Sequence, residues 1–212
     1  MTQGYDTKIE SKTLFRVFEF LKLRKFDEAQ KLLEQGIKEA EKNQDDLLAG
    51  LFYSAYGVFF RLQKEFRKAW KSYEKAEKLV PADPSLKIIS ARLLLDFFGQ
   101  YDIVLRKMDK VLGLAKDDFV FVHMAHTIKG MAFLKKGNKA KALESLKLSM
   151  GDHFNGLKNM ADMQFDLVNE LIKKKWGLDE TRLYLKEALF FSKKAGDIKS
   201  QKIIWKFLEH FP

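Results

Sequence analysis

His123 and His126 stand three residues apart, a spacing that places two imidazoles on one face of a helix and could begin a metal site. A metal would need further histidines or carboxylates within a turn, and the nearest are Asp117 and Asp118 upstream. Packing or surface roles are therefore the better reading of both histidines. His153 falls in the loop-like stretch Gly151-Asp-His-Phe-Asn-Gly156 beside one acid, too little for acid–base catalysis. The pairs Asp45-Asp46 and Asp117-Asp118 come just before predicted helices. There carboxylates accept from exposed first-turn N–H groups and complement the helix dipole. The chain has no cysteine, which excludes disulfides, thiolate metal sites and cysteine nucleophiles. Neither glycine-rich phosphate-binding pattern occurs. The residues predict no enzyme, no cofactor and no metal.

The elements that would carry these residues are helical. Only Pro81, Pro84 and Pro212 interrupt 212 residues, and two of them share one junction. With 46% hydrophobic and 32% charged residues, the chain has the composition of a folded domain with a sizeable core. The N-terminus lacks the basic start and apolar run of a signal peptide. The longest uncharged stretch, Leu47 to Phe60, is 14 residues, short of the roughly 20 needed to span a bilayer. A cytoplasmic protein without membrane insertion is expected. Net charge is +10, with 22 basic and 19 acidic side chains in residues 1–128 and 17 and 10 in residues 129–212. A lysine-rich solvated face accounts for this, with a surface for an acidic partner as the second reading.

One segment sets the organisation. Tyr53, Tyr56, Gly57 and Phe60 are followed by Ala69, Tyr73, Ala76 and Pro81. Two helices that cross closely need a small residue on each, here Gly57 and Ala69, with Tyr53, Phe60 and Tyr73 filling the gaps beside them. Asp83-Pro84 reads as the N-cap and first turn of the next helix. From His123 to Met150, Gly130 and Phe133, then Ala142 and Leu146, repeat the scheme, with Gly137 at the corner in a C′-like place. Gly151 takes the closing role that proline has in the first copy. In residues 85–117 the copy is weaker, because Arg92 stands where a small residue belongs, which predicts a register slip of one residue. The outer copies, Phe26-Asp-Glu-Ala29-Gln-Lys-Leu-Leu33 after Leu14, Val17 and Phe20, and Leu178 to Leu185 after Phe165, Val168 and Ile172, are degenerate, as terminal repeats are.

These spacings resemble the tetratricopeptide (TPR) pattern W-x2-L-G-x2-Y, then A-x3-F, A and P, over about 34 residues. The resemblance spans nearly the whole chain, closely in two copies and loosely in three. It implies an all-α, right-handed α-solenoid of about five helix pairs in a single domain, 1–212. The pairs are placed near 9–42, 46–80, 84–115, 119–150 and 157–195, the last with a first helix at 157–175. A capping helix follows at 197–210, with Ile198, Ile203, Trp205 and Phe207 covering the open end of the stack.

The resemblance also implies that the first helix of each pair lines a groove for partners. The groove residues are then Leu51, Ser54, Val58 and Arg61; Leu86, Ile89, Leu93 and Phe97; and Met124, Thr127, Met131 and Lys135. This stripe is mainly apolar and suits a peptide or amphipathic helix. TPR modules that hold C-terminal carboxylates use lysine and asparagine at places where this chain has Ser54 and Val58, which disfavours that mode. A protein–protein interaction scaffold is the expected function, its partner a protein or peptide of unknown identity. A second copy of the chain is another occupant of the groove. Nucleic-acid association through the lysines is the alternative, although Ile89, Leu93, Met124 and Met131 cannot read base edges.

Overall fold

Six of the corners between helices are closed by the same backbone device. The computed structural model describes residues 7–116, 118–152, 154–155 and 163–211, with side chains from residue 12 onward. At the first corner Arg24 adopts φ +57, and the Lys25 N–H bonds to the Phe20 carbonyl at 2.9 Å. This is the Schellman arrangement, a left-handed residue followed by a bond back over five residues. It recurs with Gln44, Lys64, Gly137, Lys175 and Gly196 in the left-handed place. The matching bonds are Asp45 to Ala40, Glu65 to Phe60, Asn138 to Phe133, Trp176 to Leu171 and Asp197 to Ser192, all 2.9–3.0 Å. Glycine takes the position at some corners because it adopts φ > 0 without a Cβ penalty.

Among the described residues the chain forms eleven α-helices and no strand. They are α1 (Thr7–Lys22), α2 (Phe26–Lys42), α3 (Asp46–Leu62), α4 (Phe66–Leu79), α5 (Pro84–Leu93), α6 (Tyr101–Leu114), α7 (Phe119–Lys135), α8 (Lys139–Ser149), α9 (Asp166–Lys174), α10 (Leu178–Lys194) and α11 (Ile198–Leu208). Caps act where acids precede helices. Asp45 Oδ1 accepts from Leu48 N–H at 2.9 Å, Asp83 Oδ1 from Ser85 N–H at 2.7 Å and Asp118 Oδ1 from Val120 N–H at 3.0 Å. Asp117 and His153 lie outside the described residues.

The chain divides into two compact units, residues 1–93 and 94–212. In the first, successive helices pack in order and α1 also meets α3. Val17 and Leu21 of α1, Leu33 and Ile37 of α2, and Phe52 and Phe59 of α3 form its buried core. Close approach depends on the small residues. A Cβ on Gly57 would lie 2.3 Å from Cε1 of the buried Tyr73 ring, and Ala69 is fully buried on the facing helix. In the second unit α7 packs against α6, α8 and α9, and α10 against α8, α9 and α11. A Cβ on Gly130 would stand 2.3 Å from Leu167 Cδ2, and one on Gly151 would stand 2.1 Å from the Phe119 ring. Contacts between elements one and two apart give each unit the stacked order of a helical repeat.

Three features differ from the sequence reading. First, α5 is followed directly by a π-helical turn, Leu94–Phe98, which holds one residue more than an α-turn. The Gln100 N–H reaches back six residues to Leu94 O at 3.4 Å, and Ala91, not Arg92, is the fully buried small residue. The slip predicted at Arg92 is absorbed there. Second, within the described part of 157–175 only Asp166–Lys174 is helical; 157–162 lie outside it. Residues 163–165 stay irregular, and the Gln164 N–H is taken by His123 Nε2 at 3.0 Å. Third, α11 turns Ile204 and Ser200 inward and lays Phe207 beside Phe165, ring centroids 5.7 Å apart. Ile198, Ile203 and Trp205 are exposed, so the expected covering face is corrected. Asp197 sets the phase of that helix by accepting from both the N–H and the hydroxyl of Ser200.

Candidate interaction surfaces

In the first unit α3 carries Leu51, Ser54, Val58, Arg61 and Leu62 on one stripe, as their three-, four- and seven-residue spacings require. Leu51, Arg61 and Leu62 are exposed; Ser54 and Val58 are half-buried. Beside this stripe runs α1, and between them opens a cleft of about 330 Å³ lined by Phe18, Leu21, Lys22, Arg24, Phe26, Val58 and Leu62. Phe18 keeps 48% of its surface exposed and Leu62 45%. The lining charges, Lys22 and Arg24, are both positive, and neither forms an ion pair among the described residues. Apolar walls with an uncompensated cationic rim suit an amphipathic ligand bearing acids. Phe15 and Phe18, one turn apart and both exposed, extend the apolar surface along α1. Sequence reasoning took α1 only for its core positions; the signal it held was this second aromatic pair, in excess of what Leu14, Val17 and Phe20 need.

Elsewhere the expected stripe is split. Leu86 and Leu93 of α5, and Thr127 and Met131 of α7, are buried in the folded chain, which leaves them no surface to offer a partner. Ile89 and Met124 are half-buried, while Phe97 and Lys135 are exposed. Helix α7 is flanked by three neighbours within its unit and is apolar around most of its circumference, so periodicity could not single out an outward face. A second cleft, of about 450 Å³, lies between α8 and α10 and is lined by Leu143, Leu146, Met150 and Leu183 with Glu144, Lys147 and Glu180. It lies on second helices, outside the expected groove.

The histidines have separate environments. His123 is fully buried; its Nδ1 lies 2.8 Å from Ser149 O, and its Nε2 accepts from Gln164 N–H. A carbonyl on one nitrogen and an N–H on the other require the proton on Nδ1, so both ring nitrogens are engaged by the backbone. His126 has a buried Nδ1 without a hydrogen-bond partner. Burial first, then Lys129 and His123, lower its pKa to about 4. Among the described residues no group of three His, Asp or Glu could hold a metal ion. On the surface of the first unit, Lys75 bonds both Tyr53 and Glu41 and lies 4.1 Å from the Tyr53 ring centroid. Hydrogen bonds from Tyr53 and Lys75 lower the Glu41 pKa, and burial raises that of Tyr53. The phenol therefore stays protonated, and the cluster clamps α2, α3 and α4 together with no activated nucleophile.

No helix among the described residues is long and apolar enough to cross a membrane. No protein-family model matches the sequence, and no curated protein matches it. Solved structures do. The chain is similar to PilW, described as a widely conserved type IV pilus biogenesis factor, at 16% identity and TM-score 0.62, over 99% of this chain and 94% of that one. It is similar to MamA of Desulfovibrio magneticus RS-1 (an ArsTM double mutant) at 16% identity and TM-score 0.59, over 93% and 100%. BtubC from P. vanneervenii matches at 16% identity and TM-score 0.63, over 92% and 79%. At such identities the likeness speaks for the fold alone, and with the repeated corners, crossings and stacked helices it establishes an all-α, TPR-like helical-repeat fold.

Proposed function

We propose that this protein is a non-enzymatic protein–protein interaction module, and that it takes an amphipathic helix or apolar peptide into the α1–α3 cleft. The observation that carries this reading is an open apolar trough whose lining charges, Lys22 and Arg24, are of one sign and form no ion pair among the described residues. The apolar face of the ligand packs on Phe18, Val58 and Leu62, and its acids face the two cations. Leu51 and Arg61 continue the contact along α3. Such a surface selects a class of ligand by shape and charge and performs no reaction on it. The TPR-like fold supports the same role, since stacked hairpins expose their first helices side by side.

The test is cross-linking and affinity purification of the chain from its source cell, beside the Phe18→Asp/Leu62→Asp variant. Both positions are exposed, so helix content should be unchanged by circular dichroism. Loss of the cross-linked partner in the variant is expected. Capture of the same partner in equal yield by the variant would remove the cleft from the reading.

A further inference from the structure

We propose that the α10–α11 end of the second unit lies against an anionic lipid surface. This rests on a surface separate from the α1–α3 cleft. Ile198 and Trp205 are seven residues apart on α11, hence on one face, and are 66% and 51% exposed. Phe190 on α10 is 67% exposed, and Lys193, one turn further, places its Nζ 5.8 Å from the Trp205 ring centroid. That contact joins the outward faces of the two helices into one patch. Lys202 lies a turn from both Ile198 and Trp205, Lys199 and Lys206 stand beside it, and Lys194 follows Lys193; all are exposed. Because Ile204, Ser200 and Phe207 hold the other side of α11 to the fold, the lysines and large apolar side chains are turned to solvent together.

Among the described residues the acids that face the patch are few. Asp197 is occupied by Ser200, Glu187 precedes Phe190 by a turn and has contacts of its own, and Glu209 follows Trp205. Five lysines therefore exceed the local acids. The apolar side chains here stand out singly from two helices, whereas a helix or peptide ligand is gripped by a trough such as that between α1 and α3. Aliphatic Ile198 and Ile203 offer no ring on which a base could stack. A bilayer interface takes all three groups at once: tryptophan and phenylalanine at headgroup depth, isoleucine at the acyl boundary, and lysine ammoniums on lipid phosphates and carboxylates. With no helix able to cross a membrane among the described residues, the contact is adsorption to the surface.

The experiment is co-sedimentation of the full chain with vesicles of mixed phosphatidylserine and phosphatidylcholine, against vesicles of phosphatidylcholine alone. Binding to the mixed vesicles, weakening as salt rises, is expected. Each lysine near an anionic surface contributes roughly a fivefold factor, so Lys193→Ala/Lys202→Ala/Lys206→Ala should lower partitioning about a hundredfold. Ile198→Ser/Trp205→Ser should lose binding with an unchanged circular dichroism spectrum. Brominated lipid should quench a fluorescence component that Trp205→Phe removes. Absence of binding to anionic vesicles at low salt overturns the proposal, as does binding by both multiple variants as strong as that of the unaltered chain. Retention on single-stranded nucleic acid that these variants lose, without any vesicle binding, overturns it in favour of a nucleic-acid surface.

Discussion

Replacing His123 with leucine tests how the second unit ties its helices together. Leucine occupies a similar volume, so the loss is chiefly polar. The imidazole donates to Ser149 O at 2.8 Å and accepts from Gln164 N–H at 3.0 Å. Without it, two backbone groups lose their side-chain partner, and a buried group left unsatisfied costs about 1–3 kcal/mol. The Gln164 amide is only part-buried and recovers some of its loss from water, so about 3 kcal/mol in total is expected. His126 supplies the control three residues away. Its buried Nδ1 is already unpartnered, so His126→Leu should be neutral or mildly stabilising at pH 7. Urea denaturation followed by circular dichroism gives the two costs, and hydrogen exchange at the Gln164 amide gives the local one. A cost below about 1 kcal/mol for His123→Leu, with Gln164 protection unchanged, would refute the reasoning. Equal costs for the two histidines would refute it as well.

His126 also sets a pH dependence. Its folded pKa of about 4 is below the unfolded value near 6.5. The unfolded chain therefore binds the proton first as pH falls, and stability is lost between about 6.5 and 4. The ring is partly exposed, so about 1–2 kcal/mol is expected rather than the full shift, and denaturation midpoints across that range should flatten in His126→Leu. Two glycines separate crowding from propensity: alanine in a helix gains about 1 kcal/mol over glycine, yet Gly57→Ala should lose about 1–2 kcal/mol against the buried Tyr73 ring. Gly113 has nothing within 4 Å of the added Cβ, so Gly113→Ala should raise the melting temperature, and a gain at both sites would discredit the crossing argument. Lys64 adopts φ +62, and Lys64→Gly should stabilise the corner by up to about 1 kcal/mol, since the left-handed penalty exceeds the entropy glycine adds. A lower melting temperature in that variant would count against the strain.

Local chemistry was legible in the residues. Gly57 with Ala69 and Gly130 with Ala142 marked the helix crossings, Asp45, Asp83 and Asp118 marked the starts, and Gly137 marked a corner. Each depends on a few neighbouring atoms: a missing Cβ, a carboxylate two or three residues from an N–H, a φ that glycine tolerates. Arg24, Gln44, Lys64 and Lys175 at other corners were not legible, because the Schellman bond is made by backbone and leaves no side-chain signature.

What the sequence determined by itself is the all-α class and the hairpin repeat, because those follow from spacing along one chain. Which faces remain open was decided only in three dimensions. Leu93 and Met131 read like Leu51 and Val58 along the chain, and packing buried the first two while leaving Leu51 exposed and Val58 half-buried. The sides of α11 likewise exchanged roles once Ile204 found the core. A helix in a stack has neighbours on several sides, and the area they cover depends on their distance and rotation, quantities that no pattern within a single helix contains.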